Sequence, residues 1–327
     1  MLRTFLIYLS KAAWAQKLIT SWGFAQRAAS RFVAGETVND AIRVVRELNA
    51  KGINATLDQL GEHTSTAEEA NASADSIVHV LQEIDKAGVK ANLSIKLTQI
   101  GMGLDEETCR QNLVKILEQA KKSNNFIRVD MEDTPYTDIT LAMVRSMLER
   151  GFTPNQVGLV QQAYLFRTEA EIRGLLNRGA RIRLVKGAYN EPAEKAFSKK
   201  SDTDANYDLL AKIMIDATVA KENNSVSADG RTPPFIAIAS HDDKRIDFAK
   251  KHAEKMNLPK SASSDASGSV ESEPSKKMPG TAFCLLRARA VEGKRYLSDG
   301  GQTSSTVPDS SAAPPTAVRA APGAVVS

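Results

Sequence analysis

The sequence predicts an α/β fold of the (β/α)8, or TIM-barrel, type, preceded by helices and with six of the eight strand–helix units recognisable. Three observations predict it. Apolar runs of strand length recur between residues 53 and 240, each followed by a segment whose apolar residues have helical spacing. Strand and helix alternate in series, the pattern of a parallel sheet with crossover helices. Polar residues also stand at the carboxyl end of nearly every run: Asp58 and Glu62, Lys96, Asp130 and Glu132, Gln162, Lys186 and His241. Convergence of successive strand ends on one face is what a barrel site needs, whereas an open doubly wound sheet draws mainly on its switch point. No GxGxxG follows the first strand, and Gly101-Met102-Gly103 is a lone GxG after the second.

The elements follow in order. Phe5, Leu6, Leu9, Ala13 and Trp14 fit one helical face, a second helix is expected over residues 24–33, and a third over 38–50 with Ile42, Val45 and Leu48 inward. Lys11 and Lys17 interrupt the first apolar stretch too early for a membrane span, and no cleavage site of a signal peptide follows it. Arg3, Lys11 and Lys17 beside Trp14 and Trp22 would also suit peripheral contact with a membrane surface. The first strand covers residues 53–57. Its helix opens at Thr66 and Glu69, in capping-box spacing, and aligns Ile77, Val80, Leu81 and Ile84. Strands at 91–97, 126–131, 157–163, 182–185 and 235–240 then alternate with helices at 105–121, 137–150, 169–177, 205–220 and 244–256. A long polar loop precedes the helix at 205. The chain divides into a helical segment (1–51), an incomplete barrel carrying the site (52–260) and a tail (261–327).

Composition narrows the class. Of 327 residues, 43 are basic and 39 acidic, a net charge of +4 that is too balanced for a nucleic-acid footprint. The two cysteines, Cys109 and Cys284, lie far apart without metal-ligand spacing, and the four histidines form no HxxxH pair. Neither a structural metal nor a disulfide framework is expected, and a cytoplasmic location follows.

The stretch Arg181-Ile182-Arg183-Leu184-Val185-Lys186-Gly187-Ala188-Tyr189 reads as a short buried strand ending in a lysine beside a glycine. Arg183 and Lys186 bring cations into a segment built for burial, where an unpaired charge is costly, so an anionic or electron-rich group is expected nearby. Asp130 ends an apolar run and reads as a buried, partnered carboxylate, whereas Glu132 and Asp133 read as a solvated acidic turn. Lys96 could snorkel to solvent, Gln162 could satisfy a buried backbone group, and His241 beside Asp242 could belong to a helix cap. Together, at matching strand ends, these residues describe a polar site lined by cations.

Five linked motifs carry a resemblance. Ser94-Ile95-Lys96-Leu97-Thr98, Val129-Asp130-Met131-Glu132, Val160-Gln161-Gln162-Ala163-Tyr164, Arg183-Leu184-Val185-Lys186-Gly187-Ala188-Tyr189 and Ala239-Ser240-His241-Asp242 resemble proline dehydrogenase of the monofunctional bacterial, flavin-dependent kind. They run in family order within a match from about residue 5 to 260. The resemblance implies a distorted barrel holding non-covalent FAD, and hydride transfer from C5 of L-proline to flavin N5. The product would be Δ1-pyrroline-5-carboxylate, with a quinone receiving the electrons at the inner face of the membrane. By motif, Lys96 matches the position that holds the proline carboxylate, and Asp130 and Arg183 match positions treated as catalytic. Met131, Gln162, Arg183, Lys186, Gly187, Ala188, Ser240 and His241 match flavin contacts.

The pattern departs after residue 260. The family continues there with a seventh and an eighth strand and an eighth helix carrying a tyrosine and an Arg-Arg pair that clamps the proline carboxylate. Here Ser261-Ala262-Ser263-Ser264 opens a tail rich in Ala, Pro, Ser and Val, and Arg287, Arg289 and Arg295 form no such pair. Ala282-Phe283-Cys284-Leu285-Leu286 is its one apolar run, and its composition suits a disordered or frame-shifted segment. Two other readings follow: an inactive FAD-binding remnant, and a Schiff-base aldolase barrel using Lys186 or Lys96 as nucleophile.

Overall fold

The computed structural model describes residues 33–35, 37–59, 63–219 and 226–258, together with the backbone of three short strands at 284–286, 318–320 and 325–326. The helix expected over residues 5–14 lies outside the described residues. So do residues 24–32 of the second expected helix, while Val33 opens a strand, β1 (Val33–Gly35). The third expected helix is α1 (Val38–Asn49), started by a reciprocal box in which Thr37 and Asp40 satisfy each other's backbone N–H.

Six strand–helix units follow: β2 (Ile53–Gln59) with α2 (Ala67–Ala87), β3 (Ala91–Ile95) with α3 (Glu106–Lys122), and β4 (Ile127–Val129) with α4 (Thr134–Glu149). Then come β5 (Val157–Gln162) with α5 (Thr168–Asn177), β6 (Arg181–Val185) with α6 (Lys200–Val219), and β7 (Ile236–Ala239) with α7 (Asp243–Lys255). Local chemistry sets the helix starts. Thr66 accepts from the Glu69 N–H of α2, while the Glu69 carboxylate takes the N–H of Ser65 rather than of Thr66. Asp105 and Asp242 cap α3 and α7.

Strand order decides the architecture. β2 to β7 pair in parallel, each with its sequence neighbour, so the described sheet has no switch point and curls as part of a barrel. The pleat then sorts the side chains. Leu93, Ile95, Ile127, Val129 and Leu159 face out to α1–α4 and form one core, while Ile182, Leu184, Ile236 and Ile238 form a second with α5–α7. The alternate positions turn inward and are mostly polar or small, with Val160 and Val185 as apolar exceptions. Thr56 donates to Asn92 Oδ1 (2.8 Å), and Arg128 stacks on Phe126 with its guanidinium 4.8 Å from the ring centroid. Gly158 leaves room for this packing: a Cβ there would meet the Arg181 carbonyl at 2.4 Å.

Two helix starts differ from the sequence reading. α6 begins at Lys200, five residues early, because its first turn is polar and was read as loop. α4 begins at Thr134, before the expected 137, although Asp133 makes no side-chain cap bond; its cap comes from a distant loop, described below. The tail supplies β8 (Cys284–Leu286), parallel to β7, and β9 (Val318–Ala320) and β10 (Val325–Val326), which pair with β2 in antiparallel fashion. The sequence reading placed no strand there, and the rest of residues 261–327 lies outside the described residues.

Candidate active site

At the carboxyl ends of β2 to β7 lies a cavity of about 790 Å³. All ten residues nominated from the sequence line it: Lys96, Asp130, Met131, Gln162, Arg183, Lys186, Gly187, Ala188, Ser240 and His241. Asp58, Tyr189, Lys200 and Asp242 line it as well.

A relay across three strands joins two of the lining residues, Asp130 and Arg183. Pairing of β3 with β4 brings Ser94 beside Asp130, and the Ser94 hydroxyl donates to Asp130 Oδ1 at 2.6 Å. From β6, an Arg183 guanidinium nitrogen donates to Ser94 Oγ at 2.8 Å and stands 3.7 Å from Asp130 Oδ1. Lys96, two residues along the inward row from Ser94, pairs with Asp58 of β2 at 3.3 Å. Both side chains are mostly buried, which strengthens the pair relative to one in water. Gln162 donates to the Met131 carbonyl at 3.2 Å, fixing the exit of β4 against that of β5.

A second cluster holds the far side. Lys186 reaches both Asp204 and Asp242, Lys200 pairs with the same two carboxylates, and Arg245 bridges Asp204 and Asp208. Burial raises the Asp242 carboxyl, but Lys186 and Lys200 outweigh it and hold this group well below the usual carboxylate range. Desolvation lowers His241 below the ordinary imidazole value, so its neutral form is favoured in the cavity wall.

Glu132 corrects the sequence reading. It is not part of a solvated turn: it is 2% exposed and accepts from the Thr98 N–H (3.1 Å) and the Thr98 hydroxyl (2.5 Å). Burial raises its carboxyl, with those two bonds opposing. Ser94, Asp204 and Glu132 therefore belong to the site's framework although none was nominated. Ser94 carried a signal, since it lies two residues before Lys96 on the same strand face. Asp204 carried only the local spacing to Lys200, with its site partner Lys186 18 residues away. Glu132 stood in a quoted motif but was read as solvated because Thr98 is 34 residues away.

Such a site can bind an anion, stabilise negative charge that develops during a reaction, and hold a cation at Asp130. Fold and site together define an α/β protein of barrel type with a cation-lined pocket at its strand carboxyl ends. The model of the proline dehydrogenase family matches residues 41–267. Proline dehydrogenase 2 of Bacillus subtilis (strain 168) is 33% identical over 256 residues, 78% of each chain. Proline dehydrogenase of Deinococcus radiodurans is 34% identical over 226 residues, 68% of each chain. The chain belongs to the proline dehydrogenase family. Among solved structures, proline utilization A (PutA) from Bdellovibrio bacteriovorus, inactivated by N-propargylglycine, superposes with a TM-score of 0.61 at 23% identity. That match covers 72% of this chain and 28% of the other, and at this identity it speaks to the fold.

Proposed function

We propose that the chain oxidises L-proline to Δ1-pyrroline-5-carboxylate, using non-covalent FAD that a quinone reoxidises. The observation that carries this reading is the Arg183–Ser94–Asp130 relay beside Lys96 at the strand carboxyl ends, in a chain of the proline dehydrogenase family.

The residues present fit a flavin. Gln162 Oε1 is buried and has no donor among the described residues, and a ring N–H of the flavin would supply one. Gly187 lines the cavity at φ +121°, a backbone that L side chains rarely adopt, and the Tyr164 ring packed against it leaves no room for a Cβ. This edge of the cavity therefore carries no side chain at that position. Met131, Gln162, Arg183, Lys186, Gly187, Ala188, Ser240 and His241 would hold the group. When bound, FAD supplies the two-electron acceptor for the hydride leaving C5 of proline.

The chain's own residues supply binding and electrostatics. Lys96 would take the proline carboxylate in a charge-assisted pair, with Asp58 fixing the ammonium in place. Arg183, held by Ser94 and Asp130, would offer fixed positive charge where negative charge develops in the transition state, at little reorganisation cost. Asp130 lies 3.7 Å from Arg183 and would balance positive charge appearing at the substrate nitrogen as C5 loses its hydride. Proline must react as the neutral amine, and a partly desolvated cavity disfavours the ammonium form.

The Schiff-base reading has less support, because Lys186 and Lys96 each sit against carboxylates, an arrangement suited to an ammonium rather than a nucleophilic amine. Among the described residues no helix is long and apolar enough to cross a membrane. In this proposal a quinone at the inner face of the membrane takes the electrons from a cytoplasmic chain that meets the membrane peripherally. The test is anaerobic addition of L-proline to the FAD-loaded chain, followed by a soluble quinone. Bleaching of the oxidised-flavin band and its recovery support the proposal, whereas retained flavin that proline never bleaches leaves the inactive-remnant reading.

A further inference from the structure

We infer that Glu191 is a positioning residue, clasping three loops of the site so that the Lys186-Gly187-Ala188 edge keeps a fixed relation to Asp130. This rests on the proposed function above for the meaning of that edge.

The geometry is specific. After β6 the chain leaves the sheet at Lys186 and wraps Tyr164, which follows β5. The Tyr164 N–H donates to the Lys186 carbonyl at 2.9 Å, and the Tyr164 ring lies under Gly187. Burial, and then the nearby Glu191 carboxylate, push the Tyr164 phenol upward, so it stays a donor, and its hydroxyl donates to Glu191 Oε1 at 3.2 Å. The same Oε1 accepts from the Thr134 N–H at 2.9 Å, and Oε2 accepts from the Thr134 hydroxyl. Thr134 is the first residue of α4, whose own N-cap, Asp133, makes no side-chain cap bond. Glu191 therefore caps α4 from 57 residues away, adding negative charge where the helix dipole favours it. Residues 130–133 run without a break from the relay carboxylate Asp130 into this capped turn. The excursion closes behind Glu191, where the Phe197 N–H returns to the Tyr164 carbonyl at 2.8 Å. One carboxylate thus joins the exits of β4, β5 and β6, while Lys96 and Asp58 lie on other strands.

The test compares wild type with Glu191→Ala and Glu191→Gln, the second keeping an acceptor oxygen. In Glu191→Ala, hydrogen exchange should quicken at residues 130–137 and 186–197 and stay unchanged in β2 and β3, and affinity for FAD should fall. Proline-dependent kcat should drop about tenfold, since a misplacement of about 1 Å can cost up to about a hundredfold. KM for proline should stay near wild type, and Glu191→Gln should recover much of the loss. Wild-type exchange at 130–137 together with wild-type FAD affinity in Glu191→Ala would overturn the inference. If that variant does not fold, Tyr164→Phe and Thr134→Val each remove one arm and should give smaller changes in the same two segments. Unchanged exchange in both would be equally fatal. A wild-type chain that binds FAD but is not reduced by proline defeats the functional reading alone, and exchange and FAD affinity then decide the clasp.

Discussion

Ser94 joins the two groups proposed as catalytic, and its hydroxyl uses both of its roles to do so, donating to Asp130 and accepting from Arg183. Ser94→Ala should therefore lower kcat by about ten- to a hundredfold, because hydrogen bonds to charged groups are worth about 1.5–3 kcal/mol. Steady-state kinetics with proline checks this, and FAD content should stay unchanged. Lys96→Met should instead act on KM, raising it by a comparable factor through the loss of one charge-assisted partner. Glu132 makes a prediction about pH. Its folded carboxyl is raised above the ordinary 4.5, so the contribution from its protonation is present below that value and is lost as pH rises through the folded value. Glu132→Gln keeps partners for both Thr98 groups without a charge, so urea unfolding at neutral pH should show stability equal to or above wild type. Stability that fell instead would mean the carboxylate is needed there.

At the scale of elements, what could be read from the sequence was set by where the partners lie. Each barrel strand announced itself by the apolar residues of its outward row, which pack on helices, and Lys96, Asp130, Gln162, Lys186 and His241 announced themselves as polar residues ending those runs. The starts of α4 and α6 did not. α6 begins with Lys200, Ser201 and Asp202, whose ion pairs and exposure erase the apolar period. α4 takes its cap from Glu191, which no local pattern contains. Glu132 failed for the same reason, since adjacent acidic residues look solvated unless Thr98 is known to face them. Gly187 lies between these cases: its motif drew notice, but the Tyr164 ring beneath it explains why a glycine stands there. Gly187→Ala should lose about 1–3 kcal/mol through its left-handed backbone alone, with further loss from the ring contact. Thermal melting and flavin content should both fall, and a variant unchanged in both would contradict the described loop.

For the whole molecule, sequential strand order places six carboxyl ends around one cavity, and that alone separates this fold from a doubly wound sheet. The match to the family model ends at residue 267, close to where the tail begins. The sequence after residue 260 holds no adjacent Arg-Arg pair, and the proposed function gives the proline carboxylate to Lys96. The account's central claim is that Arg183, fixed by Ser94 and Asp130, serves hydride removal from proline. The most direct measurement is the rate of flavin bleaching after rapid anaerobic mixing of the FAD-loaded chain with L-proline, in wild type and in Arg183→Met. A rate that saturates with proline and falls at least a hundredfold in Arg183→Met is the predicted result. A flavin that stays oxidised in the wild type, or bleaches equally fast in both, would contradict it.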